Sequence, residues 1–402
     1  MFRKNVTLHG FTMPTLVFAI GVALFGLGTF STPALSQEKG GEDELGPYEV
    51  DPTWQIQPFQ TREGYVLGSK GSIFVESPNR IFIANRGELK LPEKLPPPVP
   101  PTVYGLFYNG TFGSATERRT ANARPVEMHN AIIVVDGNGK MIETWTQWDH
   151  LFEAACPSSN CGRGPHSVKI SPYDPEHHVW VIDDERQQIF KFTNEGKKLL
   201  MTLGEPGIHG TDGKHFGRPT DIAWLPDGTF FITDGYTNTR VMKFDKDGKF
   251  LMQWGEPGNG PGQFHALHAI AIDKKRRIYI ADRDNSRIQV FDENGKFLDM
   301  WPNIFQPYTM IITADQYLGV IDGQKNKVLK YDLNGKLLSV WGAQGYRPGE
   351  IWGVHGMSVD QAGNLYVAEA FGGRTQRFKP KPGADKRKLI GPPPPLMPKL
   401  TT

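Results

Sequence analysis

The stretch PTDIAWLPDGTFFITDGYTNTRVMKFDKDGKFLMQWG, residues 219–255, decides the fold because the rest of the chain repeats its pattern. An apolar alternation is followed by a turn and by a second apolar run that ends at Asp234. A polar turn leads to a third apolar run, then to Asp-Gly, and then to a fourth run that ends in Trp-Gly. Asp-Gly and Asn-Gly favour hairpin turns because they accept positive φ. The stretch therefore predicts four antiparallel strands joined by tight turns.

Copies of this pattern occupy most of the chain. Four further units are continuous, at 165–204, 267–301, 307–342 and 354–380, and the first unit is split into 71–87 and 130–145. Four antiparallel strands in a unit of about 40–50 residues are typical of a propeller blade. We therefore predict an all-β fold, a six-bladed β-propeller that resembles the NHL-repeat type.

The domain boundaries follow from these units. The predicted segments are a signal peptide at 1–36, an N-terminal tail at 37–60, the propeller at 61–391 with a Pro-rich insert at 88–128, and a C-terminal tail at 392–402. Residues 37–47 and 392–402 are expected to be loose. The outer strand of the last blade is assigned either to 386–391 or to a strand from the N-terminal region 48–66, which would close the ring.

The N-terminus has the pattern of a targeting segment. Arg3 and Lys4 precede an apolar run at 14–30, and Ala34 and Ser36 are the small residues of a cleavage site. An uncleaved membrane anchor is the alternative, although the run of about 17 residues is short for a span. We expect export to the periplasm or the extracellular space, with no stable membrane span if the signal is cleaved.

The cysteine content is low, with two residues, Cys156 and Cys161. In an exported chain they are expected to form a small loop disulfide, and two free thiols or a metal-binding pair are the alternatives. The charge is balanced, with 45 Lys and Arg against 43 Asp and Glu. This balance argues against a nucleic-acid partner. The sequence does not indicate an oligomeric state.

Aligning the six units places histidines in a regular pattern. The position before each inner strand is occupied by Gly71, His166, Thr220, His268, Tyr308 and His355. The histidines thus fall on blades two, four and six, about 120° apart in a ring whose inner strands line a central channel. Three imidazoles that converge with an open fourth position are typical of a catalytic zinc site. We predict that these three histidines bind Zn²⁺, whereas isolated channel-mouth histidines would be the alternative.

A second aligned position lies at the end of the next strand. It holds Asn85, Asp183, Asp234, Asp282, Asp322 and Glu369, which are expected to accept N–H groups of turns. One residue later, Arg86 and Arg283 fall on opposite blades near the channel mouth, where guanidinium groups suit a carboxylate. Tyr236 lies one residue further on blade three and could act as an acid or base. Surface ion pairs and a packing tyrosine are the alternatives.

Several phrases of the chain resemble those of the peptidyl-α-hydroxyglycine α-amidating lyases. They are GPHSVKI (164–170), PTDIAW (219–224), DGYTNTR (234–240), WGEPGNGPGQF (254–264), ALHAIAID (266–273), ADRDNSRIQVF (281–291) and VHGMSVD (354–360). The resemblance implies a zinc-dependent carbon–nitrogen lyase that splits a carbinolamide into an amide and glyoxylate. It implies the three histidines as zinc ligands, Tyr236 as catalytic base, and Arg86 and Arg283 as arginines directed at the carboxylate of a peptide or small-molecule substrate.

Some positions depart from the family. The family also uses Ca²⁺, bound by an Asp directly after the third histidine and by a carbonyl that would be that of Val168; Gly356 replaces the Asp, which argues against calcium. Thr237 replaces a cysteine of the family, and no copper monooxygenase half is evident.

Two other functions remain open. One is a non-catalytic NHL-repeat propeller that binds a protein or glycan. The other is a calcium-dependent hydrolase of the lactonase type. Sites of that second kind use oxygen ligands, whereas three imidazoles favour zinc.

Overall fold

The computed structural model describes residues 46–58, 60–91, 126–153 and 164–399. Within these ranges the regular structure is β-strand apart from one 3₁₀ helix, η1 (Thr146–Leu151). The predicted signal peptide, both cysteines and most of the Pro-rich insert lie outside the described residues. In the part that is described, no helix combines the length and the hydropathy of a membrane span.

The strands follow one another along the whole described chain. The first are β1 (Tyr48–Val50), β2 (Gln60–Arg62), β3 (Tyr65–Leu67), β4 (Lys70–Ser77), β5 (Arg80–Asn85), β6 (Glu88–Lys90), β7 (Val126–Glu127), β8 (Ile132–Val135) and β9 (Met141–Thr144). The next are β10 (Ser167–Ile170), β11 (Val179–Asp183), β12 (Gln188–Phe192), β13 (Leu199–Leu203), β14 (Pro219–Trp224), β15 (Phe230–Asp234), β16 (Arg240–Phe244), β17 (Phe250–Trp254), β18 (Glu256–Pro257) and β19 (Gln263–Phe264). The last are β20 (Leu267–Ile272), β21 (Ile278–Asp282), β22 (Arg287–Phe291), β23 (Phe297–Pro302), β24 (Pro307–Ile312), β25 (Tyr317–Asp322), β26 (Lys327–Asp332), β27 (Leu337–Trp341), β28 (Val354–Val359), β29 (Leu365–Glu369) and β30 (Thr375–Pro380).

Six of the seven four-stranded antiparallel sheets in the described ranges are the blades and confirm the six-bladed β-propeller; the seventh is β2-β3-β6-β7. From the channel outward, blade one is β4-β5-β8-β9, blade two β10-β11-β12-β13, blade three β14-β15-β16-β17, blade four β20-β21-β22-β23, blade five β24-β25-β26-β27, and blade six β28-β29-β30-β1. The innermost strands of neighbouring blades contact one another around the ring, including β28 with β4. The split first unit therefore forms one blade, as its sequence pattern predicts.

The burial of each strand follows from its place in the blade. Strand β15 is buried along its whole length, since Phe230 and Ile232 pack toward blade two and Phe231 packs toward blade four. The outer strand β17 alternates between partly buried and exposed positions because it faces solvent on the rim. Burying a large apolar side chain contributes about 1.5–3 kcal/mol, so the blade-to-blade faces hold the ring together.

The ring is closed by a strand from the N-terminal region. Strand β1 pairs antiparallel with β30, with Tyr48 opposite Pro380 and Val50 opposite Phe378. This agrees with the second of the two alternatives for the last blade, so the described propeller begins at Tyr48 and not at residue 61. The segment 386–391 forms no strand. Its Ile390 is buried, and the N–H of Ile390 donates to the Tyr48 hydroxyl at 2.9 Å.

The segment predicted as a loose C-terminal tail is held against the propeller over its described part, 392–399. The N–H of Met397 donates to the Pro172 carbonyl at 3.0 Å, and His177 Nε2 lies 2.6 Å from the Met397 carbonyl oxygen. Residues 393–399 cover an apolar cavity of about 580 Å³ that is lined by the far ends of the inner strands. The tail thus closes the end of the channel opposite the histidines.

Candidate metal centre

One position near the start of each inner strand is displaced from the regular ladder. In five blades the pairing with the next strand skips a residue there, and those residues are Gly71, Thr220, His268, Tyr308 and His355. His166 lies just before β10, and its N–H donates to the Ile182 carbonyl at 2.7 Å. A β-bulge re-aims a side chain away from the sheet faces. The bulges therefore direct this set of residues into the channel.

The structure brings the three predicted histidines together. The ring centroids of His166, His268 and His355 lie 4.5–4.9 Å apart. One nitrogen of each ring lies within 4.8 Å of the corresponding nitrogens of the other two, and all three side chains are buried. In the described part of the chain this cluster could hold a metal ion, because its spacing suits three nitrogen ligands.

Each histidine is held through its other nitrogen by a backbone carbonyl. His166 Nδ1 lies 2.7 Å from the Thr220 oxygen, and His268 Nδ1 lies 2.6 Å from the Tyr308 oxygen. His355 Nδ1 lies 2.7 Å from the oxygen of Gly71. A carbonyl oxygen only accepts, so each Nδ1 carries the proton and each Nε2 presents its lone pair to the centre. This arrangement fixes the ring orientation of metal-binding histidines.

The electrostatics of the cluster favour neutral imidazoles. Burial lowers the pKa of His166, His268 and His355 well below the ordinary value. The positive charges of Arg86 and Arg283 lower it further. A neutral imidazole is the form that binds a metal. At neutral pH the three imidazoles are therefore uncharged, which is the form that could bind a cation.

Tyr236 reaches the same point from blade three. Its hydroxyl lies 2.7 Å from His268 Nε2 and 3.2 Å from His166 Nε2. The phenol oxygen therefore lies beside two of the three Nε2 atoms. The structure thus brings the predicted tyrosine next to two of the three predicted ligands.

The two predicted arginines also point into this centre. Arg283 Nη1 lies 3.4 Å from the Tyr236 hydroxyl, and Arg86 Nη2 lies 3.4 Å from His355 Nε2. Arg283 is additionally paired with Asp284 at 2.8 Å. Both guanidinium groups are largely buried, Arg86 at 7% exposure. A buried pair of cations next to a polar centre suits an anionic ligand.

Backbone hydrogen bonds from a second recurring position fix these residues. The carbonyl two residues before the bulge accepts the N–H of the residue at the channel mouth. Ser69 serves Arg86 in this way, Ala266 serves Arg283, and Arg218 serves Tyr236, at 2.8–3.2 Å. Each mouth residue is thereby tied to the start of the inner strand of its own blade. Asp234, at the aligned position that ends the second strand, accepts the N–H of Gly217 at 2.6 Å, as predicted.

Sequence reasoning missed Arg218 and Asp184. The Arg218 guanidinium carbon lies 4.5 Å from the centroid of the Tyr236 ring, and the guanidinium is paired with Asp184. One signal was available. Arg218 occupies the position that Gly164 and Gly353 occupy in GPHSV and GVHGM, and its φ of 66° is in the left-handed region that favours glycine. Ala266 holds the same position in blade four with a φ of 58°, so the left-handed backbone recurs and the arginine side chain does not.

A calcium site finds little support in the channel. Gly356 supplies no carboxylate next to His355. The nearby carboxylate of Asp221 is paired with the Lys169 ammonium at 2.7 Å and accepts from the Ser167 hydroxyl at 3.2 Å. Calcium prefers six to eight oxygen ligands. The residues around the channel therefore do not fit this ion.

Comparisons with known proteins agree with this fold. A family model described as a 6-bladed beta-propeller matches residues 209–300. Peptidylglycine alpha-amidating monooxygenase of Rattus norvegicus is 28% identical over 263 residues, 63% of this chain and 24% of the relative. Peptidyl-alpha-hydroxyglycine alpha-amidating lyase 2 of Drosophila melanogaster is 37% identical over 131 residues, 32% of this chain and 30% of the relative. NHL repeat-containing protein 3 of Mus musculus is 31% identical over 129 residues, 30% of this chain and 37% of the relative.

The chain spans about a quarter of the length of the first relatives it matches. Three relatives that carry the lyase name are 34–37% identical to this chain over the matched residues. The resemblance that the sequence motifs predicted is therefore confirmed, and the chain is a six-bladed β-propeller related to the peptidyl-α-hydroxyglycine α-amidating lyases.

Proposed function

We propose that this chain is an exported, zinc-dependent lyase that cleaves the carbon–nitrogen bond of a carbinolamide carrying a carboxylate. The observation that carries the proposal is the convergence of three Nε2 lone pairs, the Tyr236 hydroxyl and two arginines at one end of the channel. The substrate class is R–CO–NH–CH(OH)–COO⁻, and the products are the amide R–CO–NH₂ and glyoxylate.

Zinc fits the donor set best. Three buried imidazoles with fixed Nδ1 protons leave one open position, which is the usual arrangement of catalytic zinc. Imidazole also suits copper, iron and nickel, so the ligand type alone selects a class of metals. The reaction proposed here needs no redox change, which favours zinc within that class. A zinc ion bound there would supply Lewis acidity that makes a substrate hydroxyl proton easier to remove.

The side chains of the site then have separate tasks. Tyr236 takes the hydroxyl proton of the substrate, since its oxygen lies beside the histidines where that hydroxyl would sit. Tyr236 acts as a phenolate: the electron pair of the O–H bond forms the aldehyde carbonyl, the C–N bond breaks, and Tyr236 returns the proton to the leaving nitrogen, which restores the phenolate. Arg86 and Arg283 bind the carboxylate and stabilise the negative charge that develops on oxygen. Burial of the histidines keeps bulk water from the reacting atoms.

Two measurements test this function. Metal analysis of the purified protein should find about one zinc per chain. The His268→Ala variant should lose it, and the exposed His265→Ala variant should keep it. Incubation of the zinc-loaded protein with α-hydroxyhippurate should release glyoxylate and benzamide in equal amounts. Absence of a stoichiometric metal would contradict the metal centre, and zinc without glyoxylate release would contradict the reaction.

A non-catalytic propeller is the second candidate, and the similarity to the NHL repeat-containing protein 3 of Mus musculus favours it. In that case the purified protein would bind a macromolecular partner equally well with and without its metal. The calcium-dependent hydrolase is not supported by the oxygen donors in the channel. Export is tested by the fraction in which the expressed full chain is recovered: recovery in the cytoplasm with residues 1–36 attached would contradict it.

A further inference from the structure

Arg218 holds the backbone of Tyr236 in place. Its left-handed φ of 66° turns the chain before β14. Its carbonyl oxygen then accepts the N–H of Gly235 at 3.3 Å and the N–H of Tyr236 at 3.2 Å. A non-glycine residue in this conformation costs about 1–2 kcal/mol. The surrounding contacts of Arg218 must offset that cost.

The side chain of Arg218 lies against the ring of the same tyrosine. Its guanidinium carbon is 4.5 Å from the Tyr236 ring centroid, and that of Arg283 is 5.0 Å from it. Two cations therefore contact the ring while its hydroxyl lies next to His268. Cation–π contacts of this kind contribute about 0.5–2 kcal/mol each. Rotation of the phenol away from the histidines would break these contacts.

Two carboxylates from blade two fix the Arg218 guanidinium. Its Nη2 is paired with Asp184, whose side chain is fully buried, and with Glu185 at 2.8 Å. Burial opposes the charge, but Asp184, Glu185 and Tyr236 outweigh it and raise the pKa of Arg218 above its ordinary value. The guanidinium is thus charged but already neutralised by two carboxylates. Among the described residues Arg218 has two carboxylate partners, whereas Arg283 has one, Asp284, and also reaches the Tyr236 hydroxyl.

We propose that Arg218, anchored by Asp184 and Glu185, is a positioning residue that fixes the Tyr236 phenol over the histidine cluster. Its catalytic consequence rests on the proposed lyase function. The placement of the ring does not, because it follows from the contacts alone. A displacement of a reacting group by about 1 Å can cost about 100-fold in rate, so a residue that never contacts substrate can still set kcat.

The test compares Arg218→Gln and Arg218→Lys in two backgrounds, with and without Tyr236→Phe. In the wild-type background Arg218→Gln should lower kcat by about 10–100-fold while KM changes less than about 3-fold. Arg218→Lys keeps the charge and should recover part of the loss. In the Tyr236→Phe background Arg218→Gln should change kcat less than about 3-fold, because coupled residues are non-additive. An equal loss in both backgrounds would overturn the proposal.

A second readout is independent of catalysis. In protein labelled with ¹³C-tyrosine, the ring resonance of Tyr236 is identified by its absence in Tyr236→Phe. It should shift or broaden in Arg218→Gln and in Asp184→Asn, and stay unchanged in Arg276→Gln, which removes an ion pair with Glu293 on the surface. An unchanged resonance in both test variants would overturn the proposal. A shifted resonance without lyase activity would keep the positioning role and reject the proposed reaction.

Discussion

Blades two, four and six carry a histidine at an aligned position where blades one, three and five do not, and the histidine cluster is built from that difference. The even blades place a histidine side chain at or just before the start of the inner strand, in the bulge for His268 and His355. The odd blades place Gly71, Thr220 or Tyr308 there, and each of these contributes its carbonyl oxygen to the Nδ1 of the preceding blade's histidine. The side chain therefore matters in one set of blades and the backbone in the other.

The largest expected effect comes from comparing a substitution at the aligned position of an even blade with one at the same position of an odd blade. His166→Ala removes a metal ligand, so we expect zinc content to fall from about one per chain to near zero. Thr220→Ala keeps the carbonyl that holds His166 and removes a hydroxyl that donates to Leu267 at 3.1 Å. It should cost about 1–2 kcal/mol of unfolding free energy and leave zinc in place. Metal analysis and thermal unfolding of both variants check this, and zinc loss in Thr220→Ala would show that the side chain matters in odd blades too.

Tyr236, like Arg86, contributes a side chain to the centre from an odd blade. Under the proposed function Tyr236→Phe should lower kcat by about 10²–10⁴-fold with zinc retained, because the ring still packs but the proton acceptor is lost. Tyr346→Phe, at a residue that is 39% exposed, is the matched control. Glyoxylate release measures both variants. Near-normal activity in Tyr236→Phe would assign the base to another group.

The backbone role of the odd blades can be disturbed at Gly71. A Cβ there would lie 2.2 Å from the Pro165 oxygen and 3.1 Å from the His166 oxygen. Gly71→Ala should therefore weaken zinc binding about 10–100-fold, as changes around metal ligands do. Gly207→Ala is the control, because no atom lies within 4 Å of its Cβ although its φ is 73°. Competition with a zinc chelator measures the affinity of both variants, and equal affinities would refute the backbone role.

A further effect is expected from pH on the stability of the metal-free protein. The pKa values of the three histidines are lowered by burial, so below pH ~6.5 the unfolded chain binds protons that the folded chain does not. The unfolding free energy should fall as the pH drops from 6.5 to 5, by at most about 1.4 kcal/mol per pH unit for each histidine. His268→Gln should show a shallower slope in urea unfolding. A slope equal to that of the wild type would mean that the pKa of His268 is ordinary.

Much of the site could be predicted because the blades repeat. Aligning the six copies shows that His166, His268 and His355 occupy equivalent positions. In a closed ring, equivalent positions on the inner strands face the same part of the channel. Arg218 could not be found in the same way, since its partner Asp184 and its contact with Tyr236 occur once. The contacts between residues 392–399 and the propeller could not be predicted from the sequence either, because a Pro-rich segment shows no periodic pattern that indicates what it packs against. A position that repeats can be recognised in the sequence, whereas a contact that occurs once becomes known only from the folded structure.

The bond between His355 and Gly71 joins residues that are 284 positions apart in the chain. A centre that depends on it cannot assemble until the inner strands of the first and last blades, β4 and β28, have met. Proteins rich in such distant contacts fold slowly, on the scale of milliseconds to seconds. If the cluster binds zinc as proposed, the ion binds tightly only to chains that have completed the ring. The metal content of a sample then reports the fraction of chains that have folded.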